Sequence, residues 1–134
     1  MPVIQITQKH LDEAKKVDDG FHLVKLLEVT EEPNSKKTGS NFFFQFQVIS
    51  EGSNQNRYLR HLVSDKQIGR GLVPVVCALE DVEPDSFEPS EIDTDKLVNK
   101  TCIIEVEGEE WQNQIQPRIQ NFMPASCTDI DLVK

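Results

Sequence analysis

The sequence predicts a mainly β protein, a five-stranded β-barrel with one helix between strands three and four. The first observation behind this fold class is the segment from Asn41 to Ser50, which alternates with the two-residue period of a strand. One of its faces carries Phe42, Phe44, Phe46 and Val48, and the other carries Phe43, Gln45, Gln47 and Ile49. The second observation is the order of the predicted elements along 134 residues, a length that fits one domain.

The N-terminal part of the chain predicts a lead-in followed by the first three strands. Residues 1–19 read as an extended VIQI and a short helix within QKHLDEAKKV. Strand one extends from Phe21 to Thr30, because this segment is rich in residues that favour strands. A loop containing Pro33 and Gly39 leads into strand two. The link EGSNQN predicts a hairpin, and NRYLRHLV then forms strand three.

The predicted helix begins at Ser64, because Ser64-Asp-Lys-Gln67 matches a capping box. Apolar residues continue at helical spacing at Ile68, Leu72, Val76 and Leu79. Pro74 is expected either to divide this helix or to open its second part.

Two more strands follow the helix. TCIIEVEGEEW alternates as strand four, EGEEWQNQ makes a hairpin, and Gln114 to Phe122 form strand five. Pro117 cannot donate a hydrogen bond to a ladder, so strand five is expected to lie at an edge or to carry a bulge.

A partly open five-stranded barrel with its helix between strands three and four is the OB arrangement. In that arrangement, the face of strands two and three and the flanking loops bind oligonucleotides. The domain is expected to span residues 20–124, with an acidic loop at 80–96 and a short flexible tail at 125–134.

The net charge of −9 is concentrated in the second part of the chain. Residues 1–79 hold ten basic and nine acidic residues, whereas residues 80–134 hold four and fourteen. The segment from Glu80 to Asp95 contains eight acidic residues and no basic one. Such a run is usually a solvated loop; the alternative is that it mimics a phosphate strand or recruits a basic protein. A site for a polyanion is therefore expected on strands two and three.

No catalytic or metal-binding motif stands out. His10, His22 and His61 fit no metalloprotease-like spacing, and no phosphate-cradling glycine loop is present. Cys77, Cys102 and Cys127 are odd in number and far apart, which predicts reduced thiols. The sequence has no run of about 18 apolar residues and no signal-peptide layout at its start. We therefore expect a non-enzymatic cytoplasmic protein without cofactor or metal.

Binding of single-stranded nucleic acid without sequence preference needs aromatic surfaces for stacking and cations for the phosphates. Phe43 lies opposite the core face of strand two and is expected to be exposed, unless it packs under the N-terminal segment. Tyr58 and Arg60 share one face of strand three, and Arg57 and His61 share the other. The residues predicted to bind single-stranded DNA are Phe43, Tyr58, Arg60, Arg57, Lys36, Lys37, Trp111 and Arg118. For the two lysines the alternative is a solvated loop, and for the tryptophan a ring that caps the barrel.

The stretch LVNKTCIIEVEGEEWQNQIQPRIQNFMP resembles the C-terminal half of small single-stranded DNA-binding proteins of tailed bacteriophages. In those proteins a leucine, a glycine-lysine pair, an alternating strand, an aromatic turn and an N-x-I-x-x-F-like end recur. GFHLVKLLEV, the SKKTG loop before NFFFQFQV and the helix ending in CALED resemble the same proteins in the same order. The resemblance covers Gly20 to Pro124. Two departures are Asn99, where glycine is common, and the longer acidic run.

The resemblance implies an OB fold, no catalysis, and coating of exposed strands in phage DNA replication or recombination. By position, the faces of strands two and three and the lysine-bearing loop would form the groove. The implied partners are single-stranded DNA and, through the acidic run, replication or recombination proteins; a homo-oligomer and the choice between DNA and RNA stay open. The alternative is a protein-interaction module without nucleic-acid binding that uses the acidic run as its recognition element.

Overall fold

The computed structural model describes residues 2–14, 16–33, 39–88, 91–127 and 129–134. Its helices and strands are α1 (Gln8–Ala14), β1 (Gly20–Pro33), β2 (Ser40–Val48), β3 (Tyr58–Ser64), α2 (Val73–Glu80), β4 (Thr101–Trp111) and β5 (Gln114–Pro124). The predicted order of three strands, a helix and two strands is confirmed. Within these ranges no helix is long and apolar enough to cross a membrane.

The five strands form one antiparallel sheet in the order β3-β2-β1-β4-β5, with β1 at its centre. The edge strands β3 and β5 approach each other where the His61 and Phe122 rings lie 4.9 Å apart. In the part of the chain that the structure describes, β3 and β5 share no hydrogen-bonded ladder. The mainly β class and the position of the helix are confirmed, and the sheet is not closed into a barrel.

The core lies on the face of β2 that the alternation predicts. Phe44, Phe46 and Val48 are buried, and Phe42 packs against the core from a half-buried position. The Phe46 ring lies 5.9 Å from the ring of Phe122 on β5. Because alternate residues of a strand point to opposite faces, burial of this set leaves the other face of β2 directed outward.

The segment after β3 winds irregularly before it becomes an α-helix. The Ser64 hydroxyl accepts a hydrogen bond from the Lys66 amide, 3.3 Å away, so Ser64 caps a short 3₁₀ turn. The predicted start of the α-helix at Ser64 is wrong, because the α-helix begins at Val73. A 3₁₀ turn and a π-helical turn, Asp65–Gln67 and Ile68–Leu72, precede α2. Pro74 lies in the first turn of α2, where its missing amide proton costs no hydrogen bond. Pro74 therefore opens the α-helix, as one of its two predicted effects, and does not divide it.

β5 is an edge strand, as the position of Pro117 predicts. The β4–β5 hairpin turns at Gln112 and Asn113, whose φ angles of 50° and 63° are those of a type I′ turn. The ladder between β4 and β5 shifts register between Glu105 and Val106.

Asn99 adopts the left-handed conformation, with φ of 73°, in the turn before β4. Its amide donates a hydrogen bond of 2.8 Å to the carbonyl oxygen of Leu26. Asparagine tolerates this conformation better than most residues other than glycine. The left-handed backbone at this turn is therefore compatible with asparagine.

A polar network ties the segment ahead of β1 to the β2–β3 link. The Asp18 amide donates to Asn54 Oδ1 at 3.0 Å, and Asn54 Nδ2 donates to Asp18 Oδ2 at 3.1 Å. Arg57 Nη1 donates to the Lys16 carbonyl at 2.6 Å and to Asn54 Oδ1 at 3.1 Å. His22 Nε2 donates to the Asp18 carbonyl at 2.7 Å. The residues before β1 are thus held to the sheet.

Residues near the C-terminus lie beside the start of β1. Leu132 forms a parallel bridge with Phe21, and the Val133 amide donates to the Phe21 carbonyl at 2.9 Å. Gly20 has φ of 121°, and a Cβ there would lie 2.5 Å from a Val133 methyl carbon. Glycine is therefore required at this contact.

The three cysteines are free thiols in different surroundings. Burial raises the pKa of Cys102 to about 12. Burial and then the nearby carboxylate of Glu83 raise the pKa of Cys77. Cys127 is only half-buried.

We expect an aromatic disulfide reagent to modify Cys127 first in the folded protein. The thiolate is the reactive form of a cysteine. With a pKa of about 12, only about one part in ten thousand of Cys102 is thiolate at about pH 8. Release of the coloured thiol should therefore show one fast equivalent, and unfolding in urea should release the rest. Equal rates for all three thiols in the folded protein would contradict this packing.

Candidate functional site

The outward side chains of β2 and β3 meet on one surface. In the β2–β3 ladder, Phe43 pairs with Leu62, Gln45 with Arg60, and Gln47 with Tyr58. Paired residues of an antiparallel ladder project from the same face of the sheet. We call the surface formed by these six residues the outer face.

The outer face exposes large apolar and aromatic groups. Tyr58 is 55% exposed and Leu62 is 51% exposed, while Phe43 is half-buried. The guanidinium carbon of Arg60 lies over the Phe43 ring, 5.6 Å from its centroid. This cation–π contact orients the arginine against the sheet. Phe43, Tyr58 and Arg60, three of the residues predicted to bind DNA, therefore lie together on the outer face.

Leu62 belongs to the outer face although it is not among the residues predicted to bind DNA. It lies two residues after Arg60, so strand periodicity alone places it on the same face. β1 adds Lys25, which pairs with Gln47, and Glu28, which pairs with Gln45. The opposite charges of Lys25 and Glu28 offset each other. Arg60 is therefore the strongest anion-binding group of this surface.

Two of the predicted cations lie elsewhere. Arg57 donates to the Lys16 carbonyl and to Asn54, so its guanidinium is part of the polar network before β1. Arg118 lies on β5, where its Nε is 3.9 Å from Glu109 Oε2 of β4. Neither guanidinium contributes to the outer face.

Three predicted site residues cannot be placed as side chains. Lys36 and Lys37 fall outside the described residues. The backbone of Trp111 ends β4 and pairs with Gln114, and its side chain is outside what the structure describes.

No protein-family model and no curated protein matches the chain. Across the described ranges, no three His, Cys, Asp or Glu side chains group so that they could hold a metal ion. The candidate site therefore rests on its own geometry.

His61 lies on the inner side of β3. Its ring contacts those of Phe122 and Phe44, with centroids 4.9 and 6.4 Å away, and its Nε2 donates to the Gly71 carbonyl at 3.1 Å. Burial lowers the pKa of His61, and the hydrogen bond to Gly71 opposes this shift. His61 therefore joins β3, β5 and the helical segment as a neutral ring.

The fold is expected to lose stability on acidification through His61. Its pKa in the folded protein lies below the ordinary 6.5, so the unfolded chain binds more protons as the pH falls below that value. The free energy of unfolding should therefore decrease as the pH is lowered from about 6.5, and level off below the pKa of the folded protein. Urea unfolding at several pH values measures this slope.

His61→Gln should reduce the pH slope, because glutamine keeps a donor for Gly71 and does not titrate. His10→Gln changes an exposed histidine and is the matched control. An unchanged slope in His61→Gln would show that His61 does not carry the effect.

The chemistry available on the outer face is recognition. Exposed aromatic rings stack planar groups, Leu62 adds apolar contact, and the Arg60 guanidinium can bind a phosphate oxygen. The glutamines at positions 45 and 47 add hydrogen-bonding groups that donate and accept. Such a surface fits an extended ligand with planar rings and anionic groups.

Proposed function

We propose that this protein binds single-stranded DNA without sequence preference and coats it without catalysis. The observation that carries the proposal is the convergence of Phe43, Tyr58 and Arg60 on one exposed sheet face, with Arg60 over Phe43. Each base stacked on an aromatic side chain contributes about 1–3 kcal/mol. Every base has a π face, so this mode of binding tolerates all sequences.

The strand order and the helix between β3 and β4 support an OB-type arrangement as part of this proposal. In such folds the face of strands two and three takes the oligonucleotide, and the outer face is formed by β2 and β3. The resemblance to phage single-stranded DNA-binding proteins favours the same function. A role in phage DNA replication or recombination, in the host cytoplasm, follows from that resemblance.

The charges of the outer face favour stacking over phosphate contacts as the main source of affinity. Arg60 is the cation of the outer face; beside it on β1, Lys25 adds a second cation and Glu28 offsets one of the two. Lys36 and Lys37 in the β1–β2 loop, with Trp111 and Arg118 near the β4–β5 hairpin, are proposed as flanking contacts. Each phosphate contacted on a single strand contributes about −0.7 to the slope of log affinity against log salt. We therefore expect a shallow slope of about −1 to −3.

Titration of fluorescein-labelled oligo-dT, followed by anisotropy at low and at physiological salt, tests the proposal. Affinity should fall as salt rises, oligo-dA should bind similarly, and duplex DNA should bind more weakly. Tyr58→Ala and Arg60→Ala should each weaken binding by about 5- to 100-fold, with little change in melting temperature.

Leu11→Ala is the matched control, because it shortens another exposed apolar side chain, on α1, that is not among the proposed contacts. It should leave oligo-dT affinity unchanged. Absence of binding at low salt, or equal losses in Leu11→Ala and Tyr58→Ala, would contradict the proposal. Parallel titration of oligo-rU distinguishes a preference for DNA from one for RNA.

A further inference from the structure

An apolar cleft lies between the helical segment after β3 and the chain that follows α2. Its volume is about 370 Å³, within the range of sites that take ligand groups. Its walls include Ile68, Leu72 and Val76 on one side and Pro84, Phe87 and Ile92 on the other. Ile68 is 38% exposed, whereas Leu72, Phe87 and Ile92 pack against the core. The cleft therefore has a firm apolar base and an accessible apolar side.

Carboxylates border the second wall of the cleft. Five acidic residues are the sequence neighbours of the residues that form this wall: Glu83 and Asp85 beside Pro84, Glu88 beside Phe87, and Glu91 and Asp93 beside Ile92. All five are exposed. Among the described residues none of them forms an ion pair; the pairs present are Lys100–Glu80 and Arg118–Glu109. Within the described ranges no basic side chain pairs with these carboxylates.

This combination selects the chemistry of the occupant. Unpaired carboxylates repel a polyanion and attract Lys and Arg side chains. A second copy of this chain also carries a net charge of −9, so charge disfavours it as the occupant. An apolar wall next to acidic residues fits an amphipathic segment whose apolar side chains enter the cleft.

We propose that the cleft docks a basic amphipathic segment of a partner protein. Its apolar side chains occupy the space beside Ile68 and Phe87, and its Lys or Arg side chains meet the five carboxylates. The cleft shares no residue with the outer face, so the inference goes beyond the proposed function and does not depend on it.

The probe is a short fluorescein-labelled peptide of Leu and Lys, with Leu at helical spacing, titrated with the full chain. Two comparator peptides replace Leu by Ser or Lys by Glu. We expect saturable binding of the Leu–Lys peptide, at least about ten-fold tighter than either comparator, because both apolar and charged groups are recognised.

Two variants test the two parts of the cleft. Ile68→Ser removes an exposed apolar wall residue outside the core cluster, so the melting temperature should hold. The triple variant Glu83→Lys, Asp85→Lys, Glu88→Lys reverses the bordering charge. Each should weaken binding of the Leu–Lys peptide by about ten-fold. The matched control is the triple variant Glu31→Lys, Glu51→Lys, Glu107→Lys, which makes the same charge change at exposed sites elsewhere. Its affinity for the Leu–Lys peptide should fall far less.

Four results would overturn the proposal. The first is no saturable binding of the Leu–Lys peptide, and the second is equal binding of either comparator. The third is an equal loss in the control triple, which would indicate general electrostatics. The fourth is that Ile68→Ser abolishes self-association in sedimentation, or abolishes oligo-dT binding, which would assign the cleft to a second copy or to nucleic acid.

Discussion

Phe46→Ala should lower the free energy of unfolding by about 3–5 kcal/mol. Phe46 is fully buried, and its ring lies 5.9 Å from that of Phe122 on the far edge strand. In its two ladders it pairs with Leu26 and Leu59, both buried. Removing the ring leaves a cavity where β2 and β5 pack together. Since domains of this kind have a total stability of about 5–15 kcal/mol, the loss is a large fraction of it.

Urea unfolding followed by circular dichroism measures this effect, and Phe43→Ala is the matched control. Phe43 lies on the same strand and the opposite face, half-buried under Arg60. Its removal should cost about 1 kcal/mol and reduce oligo-dT affinity instead. Equal destabilisation by the two variants would mean that both faces of β2 are core, and the proposed binding surface would then be wrong.

Asn54→Ala should lower the free energy of unfolding by about 2–4 kcal/mol. Asn54 is only 2% exposed and makes hydrogen bonds with the Asp18 amide, the Asp18 carboxylate and Arg57. Alanine leaves those groups without their partner in a part-buried setting, and one of them is a guanidinium. The penalty for an unsatisfied buried group exceeds the net gain from a made hydrogen bond.

Thermal and urea unfolding measure the loss, with Gln55→Ala as the control. Gln55 is the exposed neighbour of Asn54 in the same link and should change stability by less than about 0.5 kcal/mol. If Asn54→Ala were equally mild, the network would not hold the segment before β1 to the sheet.

Local patterns were sufficient to predict the strands. Alternation over Thr101–Trp111 gave the observed bounds of β4, and Pro117 predicted an edge position for β5. These features depend on which face each side chain takes and on whether a residue can donate to a ladder, and both are decided within a few residues of sequence.

Local sequence patterns do not predict contacts between distant segments. Strand parity places Arg57 with His61 on the second face of strand three, whereas its hydrogen-bond partners are Lys16 and Asn54. Asp18 and Asn54 are 36 residues apart, and single polar residues carry no periodic signal of pairing. Closure of the sheet likewise depends on β3 and β5, which only the tertiary packing relates.

The candidate site was predicted in part. The sequence places Tyr58 and Arg60 on the same strand face, because they are two residues apart. It places Phe43 outward, because Phe43 lies opposite the core face of its strand. Their meeting on one surface depends on the β2–β3 register, which pairs Phe43 with Leu62. Leu62 follows from strand periodicity, two residues after Arg60, whereas Lys25 requires the β1–β2 ladder as well.

Pro117 on the edge strand β5 has a consequence for association between molecules. An exposed sheet edge offers a row of backbone donors and acceptors to which a strand of another chain can add. A proline interrupts that row, because it has no amide proton to offer. The residue that confines β5 to the edge therefore also opposes growth of the sheet into intermolecular aggregates.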